Sequence, residues 1–133
     1  MTERLVVVVD DNAANRELYS DLLEMVSFAA IALDGGEQVV QVVRENRPGL
    51  VLMDMNMPGH SGMDVFAHMR AALGDASPPV LALTASILPD LAKNLCQAGF
   101  AGLVCKPCGV ATFIEAVTWG MAEGPKSFRV FTD

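Results

Sequence analysis

The chain contains near its start the stretch Leu5-Val6-Val7-Val8-Val9-Asp10-Asp11, five apolar residues followed at once by two carboxylates. A continuous run of β-branched residues is typical of a strand that is buried on both faces, as in parallel sheets covered by helices on each side. After this stretch, apolar residues recur at helical spacing, at Leu18, Leu22, Met25 and Val26. The sequence therefore predicts a strand, a turn and a helix, the first βα unit of an α/β fold.

The same alternation of apolar runs and amphipathic segments continues along the chain. Four further strands are predicted, at Phe28–Leu33, Leu50–Met53, Pro79–Leu83 and Ala101–Cys105. Helical segments follow them, around Val39–Val43, Met63–Leu73, Pro89–Leu95 and Val110–Val117. Strands alternating with helices predict an α/β fold with a five-stranded parallel sheet and helices on both faces, a flavodoxin-like (βα)5 arrangement.

Length and composition limit the classes of function. The 133 residues fit one domain, and 52% of them are hydrophobic, so we expect a packed globular unit. A net charge of −7 without a basic cluster argues against direct binding of nucleic acid. No apolar run approaches the roughly 20 residues of a membrane span, and the start does not resemble a signal peptide. We expect no membrane association and a cytoplasmic location.

The last residues differ from the repeating pattern. Gly124-Pro125 breaks the final helix, and Phe128-Arg129-Val130-Phe131 alternates like a short strand. This strand could dock on its own domain, pair with a partner, or be loose. We place the domain at residues 1–122 and a C-terminal tail at residues 123–133.

The predicted strand ends carry polar side chains that suit phosphate chemistry. Asp10 and Asp11 follow the first strand, and Asp54, Thr84 and Lys106 follow the third, fourth and fifth. Ligands of open α/β sheets bind beyond the carboxyl ends of the strands, so we expect these five side chains to converge there.

Three carboxylates at one sheet edge require a counter-charge. At ~4 Å and an effective dielectric of ~20, each pair repels by about 4 kcal/mol, so a bound cation is expected. An all-oxygen donor set suits Mg²⁺. Asp54 beside this ion, with Thr84 and Lys106 to contact phosphoryl oxygens, is equipped to accept a phosphoryl group.

The segments Asp10-Asp11, Asp54–Gly62, Thr84-Ala85 and Lys106-Pro107 together resemble the receiver domains of response regulators, and the resemblance extends from about Leu5 to about Ala122. Within this family, the chain resembles the receivers of hybrid histidine kinases and of stand-alone regulators. The resemblance implies a two-component phosphorelay module that accepts a phosphoryl group from a histidine kinase or histidine phosphotransfer protein and then switches the binding of a downstream protein partner. It implies a phosphoacceptor and not an enzyme.

The resemblance also implies a role for each site residue. Asp54 would be the phosphoacceptor, and Mg²⁺ would be held by Asp11, Asp54 and the backbone carbonyl of Asn56, with Asp10 binding directly or through water. Thr84 and Lys106 would bind the acyl phosphate.

Three further positions match the family's pattern. The Lys106–Pro107 peptide bond is expected to be cis. Asn56 and Ser86 match positions that tune the hydrolysis of the phosphorylated form.

One position departs from the family. Three residues before the lysine the family usually carries Tyr or Phe, and this chain has Leu103. We expect weaker or differently routed coupling between phosphorylation and the signalling surface. A homodimer through apolar side chains at that surface, Phe100, Leu103 and Phe113, is also expected to be possible.

Other functions fit the same residues less well. A Mg²⁺-dependent phosphohydrolase would usually carry an acid two residues after its nucleophile, where this chain has Asn56. A pseudo-receiver that acts only as a binding module typically lacks one site residue, and here none is missing. Cys105-Lys106-Pro107-Cys108 is formally a CxxC, but it straddles a strand end and not a helix start, so reduced thiols are expected.

Overall fold

The valine-rich stretch forms the strand β1 (Leu5–Val9), whose five residues are all buried. The structure, a computed structural model, describes residues 4–57, 60–85, 89–122 and 127–133. In its main sheet β1 is followed in chain order by β2 (Ala29–Leu33), β3 (Leu50–Asp54), β4 (Val80–Thr84), β5 (Gly102–Cys105) and β6 (Arg129–Phe131). The spatial order is β2-β1-β3-β4-β5-β6, and every neighbouring pair is parallel.

Within the described ranges, five α-helices connect the strands. They are α1 (Ala13–Met25), α2 (Val39–Asn46), α3 (Gly62–Leu73), α4 (Pro89–Ala98) and α5 (Val110–Met121). Short 3-10 turns lie at Gly36–Gln38 and Gly74–Ala76, and Asn56–Met57 pairs with His60–Ser61 in a small antiparallel ladder. None of the helices in the described ranges is long and apolar enough to cross a membrane.

The sheet separates two hydrophobic cores, and β1 contributes to both. Val7 and Val9 pack in the core beneath α2, α3 and α4, whereas Val6 and Val8 pack in the core beneath α1 and α5. Because successive strand residues point to opposite faces, a strand covered on both sides must be apolar throughout. The α/β prediction with helices on both faces is confirmed.

In the part of the chain that the structure describes, the sheet has six strands, whereas the sequence predicted five. β6 pairs with β5 in parallel, with Leu103 opposite Val130 and Val104 opposite Phe131. The Phe131 ring is buried and meets Trp119 edge-on at 5.3 Å between centroids. The alternation seen in residues 128–131 thus serves docking on the chain's own sheet. The boundary between domain and tail at residue 122 stays a prediction.

Candidate functional site

Three carboxylates meet at the carboxyl ends of β1 and β3. These strands are neighbours with Val9 opposite Met53, which brings the residues that follow them together. One oxygen each from Asp10, Asp11 and Asp54 lies within 4.8 Å of the other two. Asp10 and Asp54 are buried, with 0% and 3% of their surface exposed, whereas Asp11 is exposed. The site is therefore a buried acidic pair with a third carboxylate at its mouth.

Asp10 is held by the first turn of α1. Its carboxylate accepts hydrogen bonds from the backbone N–H of Asn12 at 2.9 Å and from Nδ2 of Asn15 at 3.3 Å. Arg16 donates to the Asp10 backbone carbonyl at 3.0 Å. Asn12 also caps α1 by accepting from the Asn15 N–H, which sets the helix register that turns Asn15 and Arg16 back toward Asp10. Neither Asn15 nor Arg16 was predicted from the sequence to have this role.

Asp54 is oriented by two donors on one oxygen. Its Oδ1 accepts from the backbone N–H of Asn56 at 3.0 Å and from Lys106 Nζ at 3.4 Å. Lys106 follows β5, and its own N–H donates to the Thr84 carbonyl at 2.7 Å. Because β3, β4 and β5 are adjacent, Asp54, Thr84 and Lys106 succeed one another across the sheet edge.

The predicted site residues lie together wherever the structure describes them. Thr84 is buried at the end of β4, and the Lys106–Pro107 bond is cis as predicted. Asn56 lies two residues after Asp54, to whose carboxylate its N–H donates, and it remains a predicted metal ligand. Ser86 lies outside the described residues.

The donor set fits a hard divalent cation. Its three acidic side chains place carboxylate oxygens within 4.8 Å of one another, and the Lys106 ammonium lies 3.4 Å from the carboxylate of Asp54. Hard oxygen donors and partial access to solvent are what Mg²⁺ requires, because it retains several of its waters. The acidic cluster can therefore bind a metal ion.

Tyr19 lies beside the site and was not predicted from the sequence to be there. Burial raises the pKa of Tyr19 to about 12, with further contributions from the charges of Asp10, Cys108 and Asp54. Its ring stacks on Phe113 with 5.1 Å between centroids. Tyr19 follows Asn15 by one turn of α1, and this spacing could have indicated in the sequence that Tyr19 lies near the site. A cleft of about 330 Å³ opens here, lined by Asn15, Leu18, Tyr19, Ala85, Lys106, Pro107 and Cys108.

Gly62 lets α3 approach the end of β3. A Cβ atom at this position would lie 2.8 Å from the Asp54 carbonyl oxygen and 2.6 Å from the Met55 sulfur. Distances of this size require a shift of the backbone that carries Asp54. The glycine in the Asp54–Gly62 segment therefore serves close packing at the site.

The apolar residues expected at a dimer surface are instead in the core. Leu103 has no exposed surface, and Phe100 and Phe113 are also buried. The ring of Phe100 stacks on Phe66 at 3.9 Å, and that of Phe113 stacks on Tyr19. The expectation that these three side chains form an apolar surface for association was wrong, because all three pack against neighbours inside their own domain.

The three cysteines are free. Burial raises the pKa of the Cys108 thiol, and the nearby charges of Asp133 and Cys105 act in the same direction. A raised pKa lowers the thiolate fraction, so Cys108 is a poor nucleophile near neutral pH.

Comparisons with known proteins agree with this geometry. The response regulator receiver domain family matches residues 6–118. The polar-differentiation response regulator DivK of Brucella anthropi is 32% identical over 112 residues, which cover 84% of this chain and 91% of that protein. DivK of Brucella ovis is 31% identical with the same coverage.

Solved structures show the same architecture. A response regulator receiver protein from Pseudomonas putida has a TM-score of 0.79 and 28% identity, covering 89% of this chain and 98% of that one. The Vibrio cholerae chemotaxis protein CheY4 has a TM-score of 0.81 at 21% identity, covering 88% and 98%, and it supports the fold alone. With a family match over most of its length and an acidic pocket at the strand ends, this chain belongs to the response regulator receiver domains.

Proposed function

We propose that Asp54 accepts a phosphoryl group in a Mg²⁺-dependent reaction, with Thr84 and Lys106 as the groups that bind the transferred phosphoryl. One observation carries the proposal. The buried Asp54 carboxylate contacts the Lys106 ammonium at 3.4 Å and shares a 4.8 Å cluster with Asp10 and Asp11. The Asp54 carboxylate as nucleophile, the Lys106 ammonium and the carboxylates that could bind a metal ion therefore lie together.

The chemistry is a displacement at phosphorus. An oxygen of Asp54 forms the new P–O bond while the P–N bond of a phosphohistidine donor breaks, and the bonding pair leaves with the imidazole, which takes a proton from solvent. Asp10, Asp11, Asp54 and the Asn56 carbonyl would hold Mg²⁺, which would supply positive charge to the phosphoryl oxygens. The Lys106 ammonium contributes the second positive charge, and its partial exposure lets it follow the transferred group.

Turnover as a phosphatase is less well supported by the residues. A phosphohydrolase that works through an aspartyl phosphate needs a general acid or base near its nucleophile. Two residues after Asp54, Asn56 offers an amide, and its backbone N–H is engaged by the Asp54 carboxylate. We therefore assign a phosphoacceptor role and no catalytic turnover of a substrate.

The donor is proposed to be a histidine kinase or a histidine phosphotransfer protein, and the readout a downstream protein partner. We propose that a donor imidazole approaches at the cleft beside Tyr19, because this cleft is lined by Lys106, whose ammonium contacts Asp54. The net charge of −7 fits a protein partner better than nucleic acid. We also propose that the protein is cytoplasmic, because such donors would meet it there.

The test is phosphorylation by a small donor. The protein is incubated with Mg²⁺ and acetyl phosphate, and its intact mass is measured. We expect a gain of roughly 80 Da, one phosphoryl group, that is lost with EDTA and in Asp54→Ala. Asp21→Asn, which changes an exposed carboxylate on α1, is the matched control and should gain the same mass. An adduct that persists in Asp54→Ala would assign the chemistry to another residue.

A further inference from the structure

The carboxylate of Asp133 caps the N-terminus of helix α5, although it lies 24 residues after Gly109 in the sequence. It accepts hydrogen bonds from the Gly109 N–H, at 3.1 Å to Oδ1 and 2.9 Å to Oδ2, and from the Thr112 hydroxyl. Gly109 is the N-cap of α5 and has no side chain to accept these bonds. At α1 and α3 the N-cap residues Asn12 and Ser61 supply their own acceptors. Asn12 and Ser61 bind the backbone N–H three residues later, whereas Asp133 binds the N–H of the N-cap residue itself. Its negative charge suits a helix N-terminus.

Strand β6 fixes Asp133 in this position. Phe131 is buried against Trp119, and Arg129 pairs with Glu115 on α5 at 2.8 Å. A Cβ atom at Gly102 would lie 2.5 Å from the Arg129 carbonyl oxygen, so the close approach of β6 to β5 depends on a glycine there. Residues on β5 and on α5 therefore both specify the docking of β6.

The loop between β5 and α5 is the one that carries Lys106. It contains only residues 106–109. At its start the Lys106 N–H bonds the Thr84 carbonyl, and at its end the Gly109 N–H bonds Asp133. Within the loop, Cys108 is close enough to Asp133 for that charge to help raise the thiol pKa. The placement of the lysine is thus set from both ends of a four-residue loop.

We propose that Asp133 is a positioning residue for Lys106, so that the β6 segment sets the geometry of the phosphoacceptor site through the β5–α5 loop. The inference rests on the proposed function. Among the described residues, Asp133 forms hydrogen bonds with Gly109 and Thr112 and not with Asp54 or the proposed metal ligands, so its influence passes through Gly109 to the lysine. Small displacements of a group that contacts the transferred phosphoryl are costly, so we expect Asp133→Ala to lower the maximal phosphorylation rate by about three- to tenfold.

The readouts separate positioning from general structural support. The maximal rate with acetyl phosphate reports on Lys106, whereas the Mg²⁺ dissociation constant from calorimetry reports on Asp10, Asp11 and Asp54. We expect Asp133→Ala to change the rate and to leave the Mg²⁺ dissociation constant within about twofold. Asp133→Asn keeps one oxygen for the Gly109 N–H and should recover part of the rate.

Two further variants complete the test. Glu115→Gln removes one charge from the ion pair between β6 and α5. Because both side chains of this pair are exposed and such pairs contribute little to docking, the variant should match the wild type in both readouts. Thr112→Val removes one donor to Asp133 with little change in shape, so it should slow phosphorylation even if Asp133→Ala fails to fold.

A wild-type rate in Asp133→Ala or in Thr112→Val, or a loss of Mg²⁺ affinity in parallel with the rate, would overturn the inference. Absence of any adduct in the wild-type protein would instead refute the proposed function itself. The two failures are therefore distinguishable within one experiment.

Discussion

Lys106 Nζ lies 3.4 Å from Asp54 Oδ1 across 52 residues of chain, and the two side chains differ in exposure, 19% for the lysine and 4% for the aspartate. The carboxylate is buried at the sheet edge, where the Asn56 N–H also binds it, while the ammonium reaches it from the more exposed rim. Such a pair can open toward a third group without moving the nucleophile. This asymmetry suits a site in which a phosphoryl group must enter between the two charges.

Removing the exposed carboxylate of Asp11 should raise thermal stability in the absence of metal and lower the affinity for Mg²⁺. Asp11→Asn takes one negative charge from a cluster of three, so the midpoint of thermal unfolding should rise in EDTA. Mg²⁺ affinity should fall by at least about tenfold, or about 1.4 kcal/mol, because a ligand is lost. Calorimetric titration and thermal melts measure the two effects, and an unchanged Mg²⁺ affinity would remove Asp11 from the ligand set.

A methyl group at the α3–β3 contact should damage both stability and chemistry. Gly62→Ala forces a shift of the Asp54–Met55 backbone, which we expect to lower the free energy of unfolding by about 1–3 kcal/mol and to slow phosphorylation. Gly35→Ala is the matched control, since a Cβ there meets nothing within 4 Å. Equal urea midpoints for the two variants would contradict this role of Gly62.

Leu103 should behave as a core residue. It is fully buried in the core that also contains Leu95 and Ala82. Leu103→Ala is expected to reduce the free energy of unfolding by about 2–5 kcal/mol, and Leu103→Tyr by about 1–3 kcal/mol through overpacking. Urea unfolding measures both, and losses below about 1 kcal/mol for Leu103→Ala would show that this position is loosely packed.

Tyr19, the single tyrosine of the sequence, should make the stability of the fold depend on pH above 10. Because the pKa of Tyr19 is raised to about 12 from 10.0, the folded state holds this proton more tightly than the unfolded state. The resulting stability is fully present below pH 10 and is lost as pH rises from about 10 toward 12, on the order of 3 kcal/mol in total. Ultraviolet titration of phenolate in EDTA should give a midpoint near 12. A midpoint near 10 would show Tyr19 to be solvated.

The fold and most of the site were predictable because they depend on local patterns. Continuous apolar strands such as Leu5–Val9 predict burial on both faces, and the residues that follow parallel strands necessarily share an edge. That rule alone is sufficient to predict that Asp10, Asp54 and Lys106 lie together. The alternation at residues 128–131 likewise predicted a strand.

Features that depend on long-range docking were not predictable. The partner of β6 is set by Gly102 and Trp119, and no local pattern links these residues to Arg129 or Phe131. The burial of Phe113 likewise depends on how α5 packs against Tyr19 on α1. Side chains that orient Asp10, such as Asn15, act through a helix register fixed by the Asn12 cap.

Borohydride reduction identifies the residue that carries the phosphoryl group, for which we propose Asp54. Reduction converts an acyl phosphate of aspartate into homoserine, which peptide mass spectrometry locates by position. After incubation with Mg²⁺ and acetyl phosphate, we predict homoserine at position 54 and unmodified aspartate at positions 10 and 11. Homoserine at position 10 or 11, or at none of the three in protein that gained about 80 Da, would contradict phosphorylation of Asp54.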